Sequence, residues 1–159
     1  MNEFLFDELN QYLNYGEVRY SDRIGSSLDA SNIEDALKPF NVDVRTWTNM
    51  SKAEILDALD KVKKEVDNDP TKFSGFVFLG MSHGFQPMHK DYLITCDCKL
   101  LDLALVVEKF HNCNCIGLKN KPKCYLYNMC RGQSKNIDMK QSNFVQSIRN
   151  VVAFAEKTT

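Results

Sequence analysis

Three features of this 159-residue chain predict an α/β fold. Strand-like and helix-like apolar patterns alternate along it, which suits a parallel or mixed sheet covered by helices. Hydrophobic residues make up 43% of the sequence, enough to build a core at this length. No internal repeat, low-complexity tract or long linker divides the chain, so a single domain over residues 1–159 is expected.

The elements follow in order. Ile33, Ala36, Leu37 and Phe40 recur at helical spacing and predict a first core-facing helix. Val42 to Trp47 reads as a strand. Ser51 and Glu54 form a capping-box pattern ahead of Ile55, Leu59, Val62 and Val66, the apolar face of a second helix. Phe76 to Met81 is short and apolar, as a buried strand is, and so is Cys124 to Met129. Between them Leu103, Val106, Val107 and Phe110 mark a third helix. At the C-terminus, "VVAFAEKTT" reads as a strand over residues 150–155. The longer stretch "FVQSIRNVVAFAEK" also fits one amphipathic helix through Phe144, Ile148, Val151, Val152 and Ala155, so both readings stand.

Composition excludes several functions. The 20 basic and 21 acidic residues are interspersed, which gives no electrostatic surface for nucleic acid or anionic lipid. No stretch has the pattern of a secretory signal or the roughly 18 apolar residues of a membrane span. A soluble, cytoplasmic protein with protein or peptide partners is expected. The six cysteines (Cys96, Cys98, Cys113, Cys115, Cys124 and Cys130) are then read as reduced thiols rather than a disulfide scaffold.

Two reactive residues fall just past predicted strands. Ser82-His83-Gly84 follows "FVFLGM", and Cys130-Arg131-Gly132 follows "CYLYNM". Loops beyond the carboxyl ends of strands are where ligands and chemistry collect in open α/β sheets. A cysteine before Arg-Gly with a histidine about 50 residues upstream is a signature of caspases. From about residue 20 onward the chain resembles the large subunit of these aspartate-directed cysteine proteases. The likeness is carried by "DRIGSSLDASNI", by "FVFLGMSHG", by "CIGLKNKPKCYLYNMCRGQ", and by "VVAFAEKTT", which is similar to the first strand of the family's small subunit.

The resemblance implies a three-layer fold, with a mostly parallel central sheet flanked by helices, and a set of roles. Cys130 would be the nucleophile and His83 its partner, because a thiol attacks only as thiolate and an imidazole can later protonate the leaving amine. The backbone N–H groups of Gly84 and Cys130 would meet the charge on the substrate carbonyl. Arg23 would hold the substrate aspartate through a guanidinium fork. Asn128 stands where the family has a glutamine that helps line this pocket, and the shorter amide reaches less far. Asp138, in "KNIDMK", sits where caspases are cut between subunits and is a candidate processing site. No metal or other cofactor is implied.

The family takes a second pocket arginine, the loop that pairs with the substrate backbone, and its dimerisation strand from small-subunit sequence beyond the end of this chain. Losing one charge-assisted contact costs roughly 1.5 to 3 kcal/mol. Efficient cleavage by this chain alone is therefore not expected. The expectation is a caspase-like pseudoenzyme or decoy, of viral or insect source, that dampens apoptosis by binding caspases or their activators and substrates. A homodimer is a further option. The alternative is an active aspartate-directed endopeptidase, because Arg23, His83, Gly84 and Cys130 are all present. Cys96, Cys98, Cys113 and Cys115, with His111 alongside, contain enough ligands for a zinc site. Their Cys-x-Cys spacing, and the match of Cys115 to a packing cysteine ahead of Lys-Pro-Lys in caspases, favour no metal. His89 reads as a surface residue.

Overall fold

The computed structural model describes residues 23, 25–86, 89–129 and 149–156. Its elements run α1 (Ser26–Leu37), a 3-10 turn (Lys38–Phe40), β1 (Val42–Thr48), α2 (Lys52–Asn68), β2 (Phe73–Met81), β3 (Gly84–Phe85), β4 (Tyr92–Ile94), β5 (Leu100–Asp102), α3 (Leu103–Lys109), a second 3-10 turn (Ile116–Leu118), β6 (Lys123–Asn128) and β7 (Arg149–Glu156). The α/β class is as the sequence predicts.

Four strands form the main sheet in the order β1-β7-β2-β6. β2 and β6 pair in parallel. β7 lies antiparallel to β1 on one side and to β2 on the other. Among the described residues, three strands of this sheet therefore share one direction and β7 alone opposes them. Of the two readings of the terminal segment, the structure has the strand. β3, β4 and β5 make a small antiparallel sheet beyond the end of β2.

Period-2 alternation on β2 divides its side chains between two layers. Phe76 and Phe78 face α2 and α3, where they join Ile55, Leu59, Val62 and Val66 from α2 and Leu103 and Val106 from α3. The Phe76 ring stacks on Phe110 with centroids 4.2 Å apart. Leu79 and Met81 face the other way, toward Ala30 and Ile33 of α1. The predicted capping box starts α2: the Ser51 hydroxyl accepts from Glu54 N, and the Glu54 carboxylate accepts from Ser51 N.

Two details of the predicted faces need correction. On α1 the buried positions are Ser26 and Ala30, with Ile33 half-buried, while Ala36 is exposed and Phe40 is 72% exposed. Pro39 has no N–H to continue the helix. The chain tightens into a 3-10 turn and reverses at Asn41, whose φ is 53°, and this carries Phe40 outward. On α3, Leu103, Val106 and Phe110 are buried as expected, but Val107 is 39% exposed because so short a helix buries only one narrow face.

A carboxylate knot closes the C-terminal end of α2. Asp67 accepts from Gly117 N at 2.9 Å and from Lys63 Nζ at 2.6 Å. Burial raises the Asp67 pKa, but the bonds from Gly117, Lys63 and Cys115 outweigh it and hold the carboxyl below its usual range. A carboxylate whose folded pKa is depressed stabilises the fold above the unfolded value, and that contribution is lost as pH falls through the folded one. Asp67→Asn is therefore expected to cost about 1 kcal/mol at neutral pH, with the difference from wild type vanishing in strong acid. Urea unfolding at a series of pH values checks this, and a difference that does not change with pH would refute it.

Candidate functional site

The parallel register of β2 and β6 builds the site. Met81 lies beside Asn128, and one residue further Ser82 N still donates to Asn128 O at 3.3 Å. Both chains thus leave the sheet side by side at its carboxyl end. His83 stands two residues past Met81, and Cys130 stands two residues past Asn128. Cys130 and Asp138 lie outside the described residues.

Ser82 is the pivot of what can be described. It is fully buried, and its hydroxyl donates to Ile94 O at 2.6 Å. Its carbonyl accepts from Arg23 Nη1 at 3.0 Å. The next carbonyl, that of His83, accepts from Ile94 N at 3.0 Å, and Gly84 then pairs with Leu93. The histidine loop is therefore tied on one side to β4, through its backbone and a buried hydroxyl, and on the other to the Arg23 guanidinium. Sequence reasoning gave Ser82 and Ile94 no part in this. The one available signal was a hydroxyl at the end of a buried apolar strand, which must find a hydrogen-bond partner.

Arg23 is placed by the turn ahead of α1. Ser26 N donates to Arg23 O at 3.1 Å, and Gly25 follows with φ 91°, a left-handed conformation suited to glycine. Among the described residues, the buried Arg23 Nε has no hydrogen-bond partner. An unmet buried donor costs about 1 to 3 kcal/mol, which an incoming acceptor would recover. The structure therefore brings Arg23, His83, Gly84 and Asn128 together around the Ser82 backbone.

Asn128 also lines a groove of about 460 Å³ between α1 and the end of the sheet, with Asp29 and Ile33 on one wall and Leu79, Met81 and Leu126 on the other. Tyr125 and Tyr127 lie on β6. Their hydroxyls are buried without partners among the described residues, and burial pushes both pKa values up to about 12.

The remaining sequence candidates lie elsewhere. Cys115 is fully buried in the core, and burial pushes its thiol up. Cys96, Cys98, Cys113, Cys115 and Cys124 are free thiols. Among the described residues, no group of three or more His, Cys, Asp or Glu side chains is placed to hold a metal ion. His89 is exposed. No helix among the described residues is long and apolar enough to cross a membrane.

Comparison with known proteins finds relatives of the chain. The profile of the caspase domain matches residues 10–156. Mouse caspase-3 is 30% identical over 112 residues, covering 70% of this chain and 38% of its own length. Caspase-1-B of Xenopus laevis is 30% identical over 128 residues, covering 72% and 31%. Chicken caspase-2 is 30% identical over 119 residues, covering 75% and 27%. The chain thus spans between a quarter and two fifths of the length of these relatives.

Proposed function

The chain belongs to the caspase family, and from that premise we propose that it is a caspase-binding decoy that restrains apoptosis rather than a self-sufficient protease. One observation carries the reading. β6, the strand that leads into the cysteine loop, has β2 as its only strand neighbour among the described residues, because β7 inserts between β1 and β2. An unpaired edge beside the site can recruit an extended segment of another chain by strand addition.

Arg23 supports the same reading. With Nη1 given to the Ser82 carbonyl and Nε without a partner among the described residues, its fork is half committed to shaping the loop and half available to a carboxylate. A single half-open guanidinium is a modest anchor for a substrate aspartate, whereas strand addition supplies affinity along the whole edge. The partners proposed are caspases, or proteins that activate them or serve as their substrates, met in the cytoplasm.

The parallel register favours a second reading, an aspartate-directed cysteine endopeptidase with Cys130 as nucleophile, His83 as acid and base, and Gly84 at the oxyanion. One pair of assays separates the two. The purified chain is expected to capture an active caspase at micromolar concentration and to show no turnover of fluorogenic peptides ending in aspartate above a Cys130→Ala control. Absence of a complex would sink the decoy reading. Turnover that disappears in Cys130→Ala would establish the protease.

A further inference from the structure

We propose that Cys96 and Cys98 form a dithiol that a peroxide closes into a reversible disulfide, locking the turn at the end of β4. This goes beyond the binding of caspases and depends on neither reading of the histidine and cysteine loops.

The turn brings the two residues together. Cys98 N donates to Thr95 O at 2.8 Å and Thr95 N to Lys99 O at 2.9 Å, so residues 95–99 form a tight reversal immediately after Ile94. Two residues fully extended span about 7 Å, and a turn shortens that into the range of about 4.4 to 6.8 Å between Cα atoms that a disulfide accepts. The turn is also fixed from both sides. Cys96 N donates to Met50 O at 3.2 Å, while the Asp97 carboxylate accepts from Lys52 N at 3.1 Å and pairs with Lys99 Nζ at 3.1 Å. Cys98 is held at φ 56°, a left-handed conformation that a cysteine takes only where its surroundings impose it. The pair is therefore ordered before it reacts, and closing the ring costs little further chain entropy.

The second pair of the same spacing supplies a contrast. Cys113 is exposed, but Cys115 is fully buried and its thiol bonds the Asp67 carboxylate. Only Cys96 and Cys98 are both reachable, the first half-buried and the second exposed.

The chemistry follows from that exposure. Burial, with Asp97 and Glu54 nearby, pushes the Cys96 thiol up, so Cys98 meets the oxidant first. Its thiolate attacks one peroxide oxygen, the O–O bond breaks, and the departing hydroxide takes up the thiol's proton as water. The Cys96 sulfur then attacks the sulfenic sulfur of Cys98, the S–O bond breaks, and a second water leaves with the Cys96 proton. Two electrons pass from the dithiol to the peroxide. In a reducing compartment the pair is open at rest and closes only when peroxide is supplied. The locked turn begins next to Ile94, which holds the Ser82 hydroxyl and the His83 carbonyl.

Treating the purified full chain with hydrogen peroxide, blocking free thiols with iodoacetamide in denaturant and digesting with trypsin gives segments 91–99 and 110–119, one for each pair. Mass spectrometry is expected to find segment 91–99 two hydrogens lighter with neither thiol blocked, and dithiothreitol should restore both. Segment 110–119 should keep both thiols blocked. In Cys96→Ser, shown to fold by circular dichroism, Cys98 should instead accumulate as a sulfenic acid that dimedone traps. A segment 91–99 that stays fully blocked overturns the proposal. So does equal closure of the two pairs, or a cross-link from Cys96 or Cys98 to any other cysteine in place of their own.

Discussion

Alanine at position 117 is expected to destabilise the protein by about 3 kcal/mol or more, a large part of what holds a domain of this size together. The second 3-10 turn crosses the C-terminal end of α2 so closely that only a hydrogen fits there. A Cβ on Gly117 would lie 2.0 Å from the Val66 carbonyl oxygen and 2.5 Å from its carbon. Neither atom is the end of a flexible side chain, so the turn or the helix must move. Any such shift also pulls Gly117 N away from Asp67 and disturbs the buried Cys115 and Leu118 on either side. Gly25→Ala is the contrast. That position has φ 91° with open space around it, so alanine there meets only backbone strain, worth roughly 1 to 2 kcal/mol. Urea unfolding of the two variants decides the matter. A midpoint loss at Gly117 no larger than at Gly25, with unchanged m-values, would mean that the contact with Val66 relaxes easily.

Proline at position 152 should be comparably damaging and should act at a distance. Val152 lies in β7 opposite Arg45 of β1 and Phe78 of β2. A proline in the middle of a sheet removes a ladder bond and its ring obstructs the neighbouring strand, at a cost of about 3 kcal/mol or more. Among the described residues, β1 joins the main sheet through β7 alone. Hydrogen exchange in the variant should therefore show the amides of residues 42–48 losing about a hundredfold in protection, in step with the stability lost. A variant in which β1 keeps its protection would show that residues 149–156 do not bridge β1 and β2, as when they form the amphipathic helix that the apolar spacing also allows.

Local pattern made most of the framework legible. Ser51, Glu54 and the four apolar residues after them specify α2 unaided, because a capping box and a stripe at helical spacing are both properties of one segment. Phe76 to Met81 reads as a buried strand for the same reason. At α1 the reading mixed buried with exposed positions. There Ser26 and Ala30 are the deeply buried positions, and a small residue on a helix face gives no hydropathy signal.

The sequence by itself determined the α/β class, the caspase kinship, and that His83 and Cys130 each fall just past a short apolar strand; that the two strands are neighbours in register came from the structure. Tertiary structure alone decided how the sheet is closed and what holds the histidine loop. β7 could have been strand or helix by its own spacing, and pairing with strands more than sixty residues away settled it. The part played by Ser82 was hidden for the same reason. Its hydroxyl, N–H and carbonyl meet Ile94, Asn128 and Arg23, and bonds between residues so far apart in the chain leave no periodic trace in the sequence.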